Sequence, residues 1–189
     1  MSSFRVLTGD PGTKNFALSV VEYKNGTLRV LGTKMAPHPF RDLSSREAAA
    51  NLHLFTEDIR ELIVKYKVNG LYFERFQVRA AGVSAIEGIN VMLGVILYLA
   101  HMFQIPSRLI TASTWKNNFN NNNSSGKKLD ELYKEFKLTS VHSAKAIHEF
   151  DGSLIGVYAV FDTLVKSRKP FVNFDPYAFY DSFIDCPKL

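Results

Sequence analysis

The chain has 189 residues, 46% of them hydrophobic, with 23 Lys and Arg against 18 Asp and Glu for a net charge of +5. That length and apolar content support one domain with a sizeable core and exclude a pair of large lobes. The single cysteine, Cys186, excludes an internal disulfide framework, the longest apolar run is too short for a membrane span, and Met1 to Arg5 lack the apolar core of a secretory leader, so a reducing, cytoplasmic setting without a membrane partner is expected.

A first strand around Val6-Leu7 ends in Asp10-Pro11-Gly12, a turn tripeptide that leaves the Asp10 carboxylate at the strand's end. Phe16 to Tyr23 and Thr27 to Met35 read as the next strands, and the Asn25-Gly26 between them is a strong hairpin signal, so the three form an antiparallel meander. Ser44-Ser45-Arg46-Glu47 reads as a capping box opening a helix to about Lys67, with Leu52, Phe55, Ile59, Leu62, Ile63 and Tyr66 as its apolar stripe. Leu71 to Glu74 is a fourth strand, Ser84 to Phe103 a second helix, and Arg108 to Ile110 a fifth strand. Two helix-to-strand steps imply parallel additions through right-handed crossovers. The expected fold is therefore α/β, a mixed five-stranded sheet of three antiparallel and two parallel strands with helices on both faces. Beyond it, Thr111 to Lys116 reads as a short helix and Asn117 to Gly126 as a mobile low-complexity segment. Helices follow from about Lys127 to Phe136 and from near Ser143 to Lys166. Residues 1–169 are assigned to the domain and 170–189 to an aromatic-rich tail.

Acidic residues interrupt this pattern at three places. Asp10 by itself fits a plain turn. Glu74 shares a strand face with Tyr72 and Phe76, where a carboxylate is costly unless it is paired, binds a cation, or lies beyond the strand's end in solvent. His148 and Asp151, three apart, project from one turn of the last helix among Ile147, Phe150, Leu154 and Ile155; alone they fit an exposed first turn better than a site. Taken together, the four lie on the two middle strands and on a helix that packs beside them. Three carboxylates and a histidine suffice to hold Mg2+, and two such ions about 4 Å apart activate a water and stabilise the leaving oxygen of a phosphodiester.

At these residues the chain resembles the RuvC-type Holliday-junction resolvases, a branch of the RNase H-like (retroviral integrase) superfamily, over about Val6 to Asp162. Gly9-Asp10-Pro11-Gly12-Thr13-Lys14 is similar to that family's first-strand motif, Phe73-Glu74-Arg75-Phe76 to its second, and His148-Glu149-Phe150-Asp151-Gly152-Ser153-Leu154-Ile155-Gly156 to its third. The resemblance implies that Asp10, Glu74, His148 and Asp151 form the catalytic and metal-binding set. It implies magnesium as cofactor, two ions per site with manganese as a substitute, and no nucleotide cofactor. Lys116, Lys127 and Lys128 match positions where the family presents lysines to junction phosphates, and Lys14, Arg75 and Arg79 lie near the expected cleft. The family often carries an aromatic wedge where this chain has Gln77, its nearest aromatic being Phe76. The asparagine run and aromatic tail have no counterpart in the bacterial pattern and suit a phage or viral member acting in an infected host.

The expected activity is crossover junction endodeoxyribonuclease: paired symmetric nicks in four-way DNA, in the service of recombination and repair. Rival expectations are a broader branched-DNA, flap or packaging nuclease of the same fold, and a nucleic-acid-binding protein without catalysis. An actin-like ATPase shares the first Asp-x-Gly hairpin but needs a far longer chain. Two opposed nicks call for two acidic clusters and hence a homodimer. Its expected interface is the second helix, through Ala85, Ile89, Met92, Leu93 and Ile96 with Gly88 permitting close approach, so that Phe76, Gln77 and Arg79 point to the junction centre.

Overall fold

Alternation along β1 (Phe4–Asp10) sends Val6, Thr8 and Asp10 to one face of the sheet and Leu7 to the other, and the whole molecule is built on that division. In the computed structural model, which describes residues 3–12, 16–36, 43–75, 83–122, 125–138, 144–166 and 174–189, β1 pairs antiparallel with β2 (Phe16–Lys24), and β2 with β3 (Thr27–Ala36). Asn25 and Gly26 have φ of 51° and 85°, the left-handed pair that a two-residue hairpin turn demands. β4 (Gly70–Glu74) runs parallel to β1, and β5 (Ser107–Ile110) parallel to β4, so the strand order is β3-β2-β1-β4-β5. The mixed five-stranded sheet expected from the sequence is observed.

Helices α1 (Ala48–Tyr66) and α2 (Val83–Met102) cover the Leu7 face, where Phe55, Ile59, Ile89 and Ile96 pack on Leu18, Leu71 and Phe73. On the opposite face lie α3 (Ala112–Asn122), α4 (Leu129–Glu135), α5 (Ala144–Lys166) and α6 (Pro176–Asp185), around Val6, Val21 and Tyr72.

Four expectations are corrected. α1 does not start in a capping box: it opens at Ala48 behind Glu47, which makes no side-chain cap, because the Ser45 hydroxyl accepts the Glu47 N–H in a turn ahead of the helix. The asparagine run is helical through Asn122, since Trp115 and Phe119, one turn apart, are both buried and anchor α3. Asn120 is structural too, its carbonyl accepting the Leu129 N–H that α4 leaves unsatisfied. The segment set apart as a tail contains α6, capped by Asp175 on the Tyr177 and Ala178 N–H groups, and packs into the core, with Phe174, Phe179 and Phe183 buried against α3 and α5. Beyond it, Leu189 donates its N–H to the Thr33 carbonyl and Pro187 accepts from Thr33, covering the otherwise open edge of β3. Finally, Ile89, Met92 and Ile96 face the sheet and are at most 1% exposed, so they offer no surface to a partner, and Leu93, 4% exposed, reaches the outside only in the lining of a groove. α2 is apolar around most of its circumference, which hides from the sequence which side turns inward. The side chain of Ala85 lies outside the described residues.

Candidate active site

Asp10 and Glu74 are the last residues of neighbouring parallel strands and point to the same face. α5 crosses that face closely because two of its residues are glycines. A Cβ at Gly156 would lie 2.4 Å from Val21 Cγ2, and one at Gly152 would lie 3.2 Å from Ser19 Oγ. Hydroxyls of the sheet tie the helix in place, Thr8 donating to the Gly152 carbonyl at 2.6 Å and Ser19 to the Glu149 carbonyl at 3.1 Å. These contacts deliver His148 and Asp151 to the end of β1. His148 Nδ1 lies 2.5 Å from Asp10 Oδ2.

Among the described residues each of the three carboxylates accepts one side-chain hydrogen bond. His148 holds Asp10, the Trp115 indole N–H reaches Glu74 Oε2 at 2.7 Å, and the Tyr133 hydroxyl donates to Asp151 Oδ1. Lys116 Nζ stands 3.6 Å from Asp151 Oδ2. Burial pushes the Glu74 carboxyl up to about 7, the Trp115 hydrogen bond opposing and Asp10 adding repulsion. Asp151, 8% exposed, is likewise pushed up to about 6 by burial, against the pull of Lys116 and Tyr133. The hydrogen bond to Asp10 raises His148 above the ordinary histidine value in spite of partial burial, and burial beside Asp151 raises the Tyr133 phenol, which stays protonated. The cluster is thus an acidic site short of positive charge, built of hard oxygen donors.

Among the described residues no three His, Cys, Asp or Glu side chains already surround one point as ligands. The donor chemistry nonetheless suits a divalent cation: with one oxygen of Asp10 and one of Glu74 engaged, the second oxygen of each has no hydrogen-bond partner among the described residues. A hard cation bound there would offset the burial, and the lesser mutual repulsion, that raise Glu74 and Asp151.

Of the remaining candidates, Lys116 borders the site, and Arg75 is exposed directly after Glu74. Lys127 is paired with Glu135 and donates to Tyr177 Oη at 2.8 Å, while exposed Lys128 occupies the N-cap position of α4, its backbone N–H donating to Glu131. Lys14, Phe76, Gln77 and Arg79 lie outside the described residues. Trp115 and Tyr133 escaped the sequence reading as site residues, and Gly152 entered it only as part of a motif. A lone Trp shortly after the strand that neighbours Glu74 was a usable signal, because a buried indole N–H needs an acceptor.

No family model and no curated protein matches the sequence. Among solved structures, Thermus thermophilus RuvC in complex with a Holliday junction substrate is 15% identical, with a TM-score of 0.63 over 86% of this chain and 96% of that one. A second Thermus thermophilus RuvC structure is 16% identical, with a TM-score of 0.62 over 86% of this chain and 97% of that one. The chain therefore has the RuvC fold, with its candidate acidic site at the end of the two central parallel strands.

Proposed function

We propose that this chain is a magnesium-dependent endonuclease that resolves four-way DNA junctions by paired nicks, working as a homodimer. The observation that carries this reading is the meeting of Asp10, Glu74, His148 and Asp151 at one end of a RuvC-like sheet, on the face that α5 closes. Asp10, Glu74 and Asp151 would hold the ions, which supply water activation and neutralise charge at the scissile phosphate. The hydrogen bond from Nδ1 to Asp10 orients the His148 ring and leaves Nε2 to align the attacking water. Lys116, at the rim beside Asp151, draws the phosphate toward the acids.

The dimer surface on this reading is the outer side of α2, where Leu97, Tyr98 and Met102 are 43%, 59% and 59% exposed. Gly94 lies on the same side, with nothing within 4 Å of a would-be Cβ. A groove of about 340 Å³, lined by Ile86, Asn90, Leu97 and Leu109, runs from there to Arg75, so a partner seated on α2 lies beside the residue that follows Glu74.

The test is to incubate the protein with labelled four-way junction and with linear duplex, with and without Mg2+. Junction-selective, Mg2+-dependent paired nicking is expected. Asp10→Asn, Glu74→Gln and Asp151→Asn should each lower cleavage at least about a thousandfold while keeping junction binding, because the acids act through the bound cation and not through DNA affinity. His148→Asp should retain activity, an oxygen ligand suiting magnesium. Equal cleavage of junction and duplex would point to a less selective nuclease, and wild-type rates in the carboxylate variants would refute the site.

A further inference from the structure

Trp115 is the only tryptophan of the chain and is completely buried. An indole has one N–H to donate and nothing with which to accept, so a buried tryptophan must find one acceptor. Here that acceptor is Glu74 Oε2, at 2.7 Å. Sheet register brings the two together: Glu74 pairs with Ile110, the Arg75 N–H donates to the Ile110 carbonyl at 2.6 Å, and α3 begins two residues after β5 ends. The ring itself has little freedom. It packs edge-on to Phe119 at 6.1 Å, Phe119 packs edge-on to Phe174 at 5.5 Å, and the Thr111 hydroxyl and carbonyl tie down the first turn of α3. Glu74, by contrast, stands half-buried at a strand end on a side chain with three rotatable bonds.

We propose that Trp115 is a positioning residue for Glu74: its indole N–H holds Oε2 and so leaves Oε1, in a preset orientation, for the cation. The inference rests on the reading of this site as cation-dependent. A donor behind a metal ligand orders that ligand before the ion arrives, so its loss weakens cation binding more than turnover at saturating cation.

The test is calorimetric titration of the full chain with Mn2+ alone, alongside junction cleavage as a function of Mn2+. Wild type is compared with Trp115→Phe and with protein in which tryptophan is replaced biosynthetically by benzothienylalanine. The latter keeps the bicyclic shape but exchanges N–H for sulfur, and with a single tryptophan it alters one site. Phe119→Leu is the packing control. Both N–H deletions should weaken Mn2+ binding about tenfold and raise the Mn2+ needed for half-maximal cleavage in proportion, with kcat at saturation changing much less. Phe119→Leu should lower the melting temperature and bind Mn2+ like wild type. Mn2+ affinity of the benzothienylalanine protein indistinguishable from wild type overturns the inference, as does a loss in Phe119→Leu equal to that in Trp115→Phe. If the wild type binds Mn2+ but cleaves no junction, the proposed function falls and the calorimetric comparison still decides the role of Trp115. If it binds no Mn2+, both fall.

Discussion

Burial governs the ionisation of Glu74 and Asp151, whose carboxyls sit at about 7 and about 6 against ordinary values of 4.5 and 3.8. The folded chain therefore keeps protons on both acids at pH values where the unfolded chain has released them. His148, raised above 6.5 by its bond to Asp10, acts in the same direction. All three make the folded state the better proton binder, so stability falls as pH rises from about 4.5 through 7. Glu22 runs the other way: burial opposes its ionisation, but hydrogen bonds from Arg5 and Arg29 outweigh that and hold it low, so its contribution is lost only on the acid side of that window. Without divalent ions, the protein is expected to melt several degrees lower at about pH 8 than at about pH 5.5, and Mg2+ should restore much of the difference at the higher pH. Thermal scans at both pH values check this; a melting temperature at pH 8 indifferent to Mg2+ would count against a cation at these carboxylates.

The site depends on how closely α5 approaches β1 and β2, and that spacing is set by Gly152 and Gly156. An alanine at 156 would gain helix propensity, yet its Cβ meets buried Val21 at both Cγ2 and Cβ, and no change of side-chain rotamer moves a Cβ out of the way. Steric conflict wins: Gly156→Ala should destabilise by about 1–3 kcal/mol in denaturant unfolding and, by lifting α5, lower cleavage more than junction binding. Gly94→Ala in α2 meets nothing within 4 Å and should stabilise the monomer by about 0.5–1 kcal/mol through backbone entropy alone. The strands and long helices were legible because period-2 and period-3.6 patterns reflect one-sided burial. The start of α1 and the full length of α3 were not, since each depends on where a single side chain, Ser45 or Phe119, finds its partner.

Among the described residues both sheet faces are covered, and α2 carries an apolar outer surface at Leu97, Tyr98 and Met102. If that surface pairs two copies, light scattering at micromolar concentration should report roughly twice the 21.3 kDa chain mass. Leu97→Asp or Tyr98→Glu should then yield folded monomers, since both side chains already face solvent in the single chain. Such monomers should nick junctions singly, and a persistent wild-type monomer that makes paired nicks would overturn the dimer.

Residues 10, 74, 148 and 151 were legible from the sequence only as a set: each alone fits a turn, a strand end or an exposed helix start, while three carboxylates and a histidine on apolar elements together strain the rule that buried charge must be compensated. The hairpin and the chain order of strands and helices were likewise local or periodic properties, written in turn residues and spacing, whereas the sheet order and the division of helices between two faces came from docking. What only the tertiary structure decided was which groups complete that set. Trp115 and Tyr133 reach Glu74 and Asp151 across 41 and 18 residues of chain, and the inward side of α2 was chosen by packing against the sheet. Such contacts follow from how finished elements dock, and no repeat or spacing along the chain encodes them.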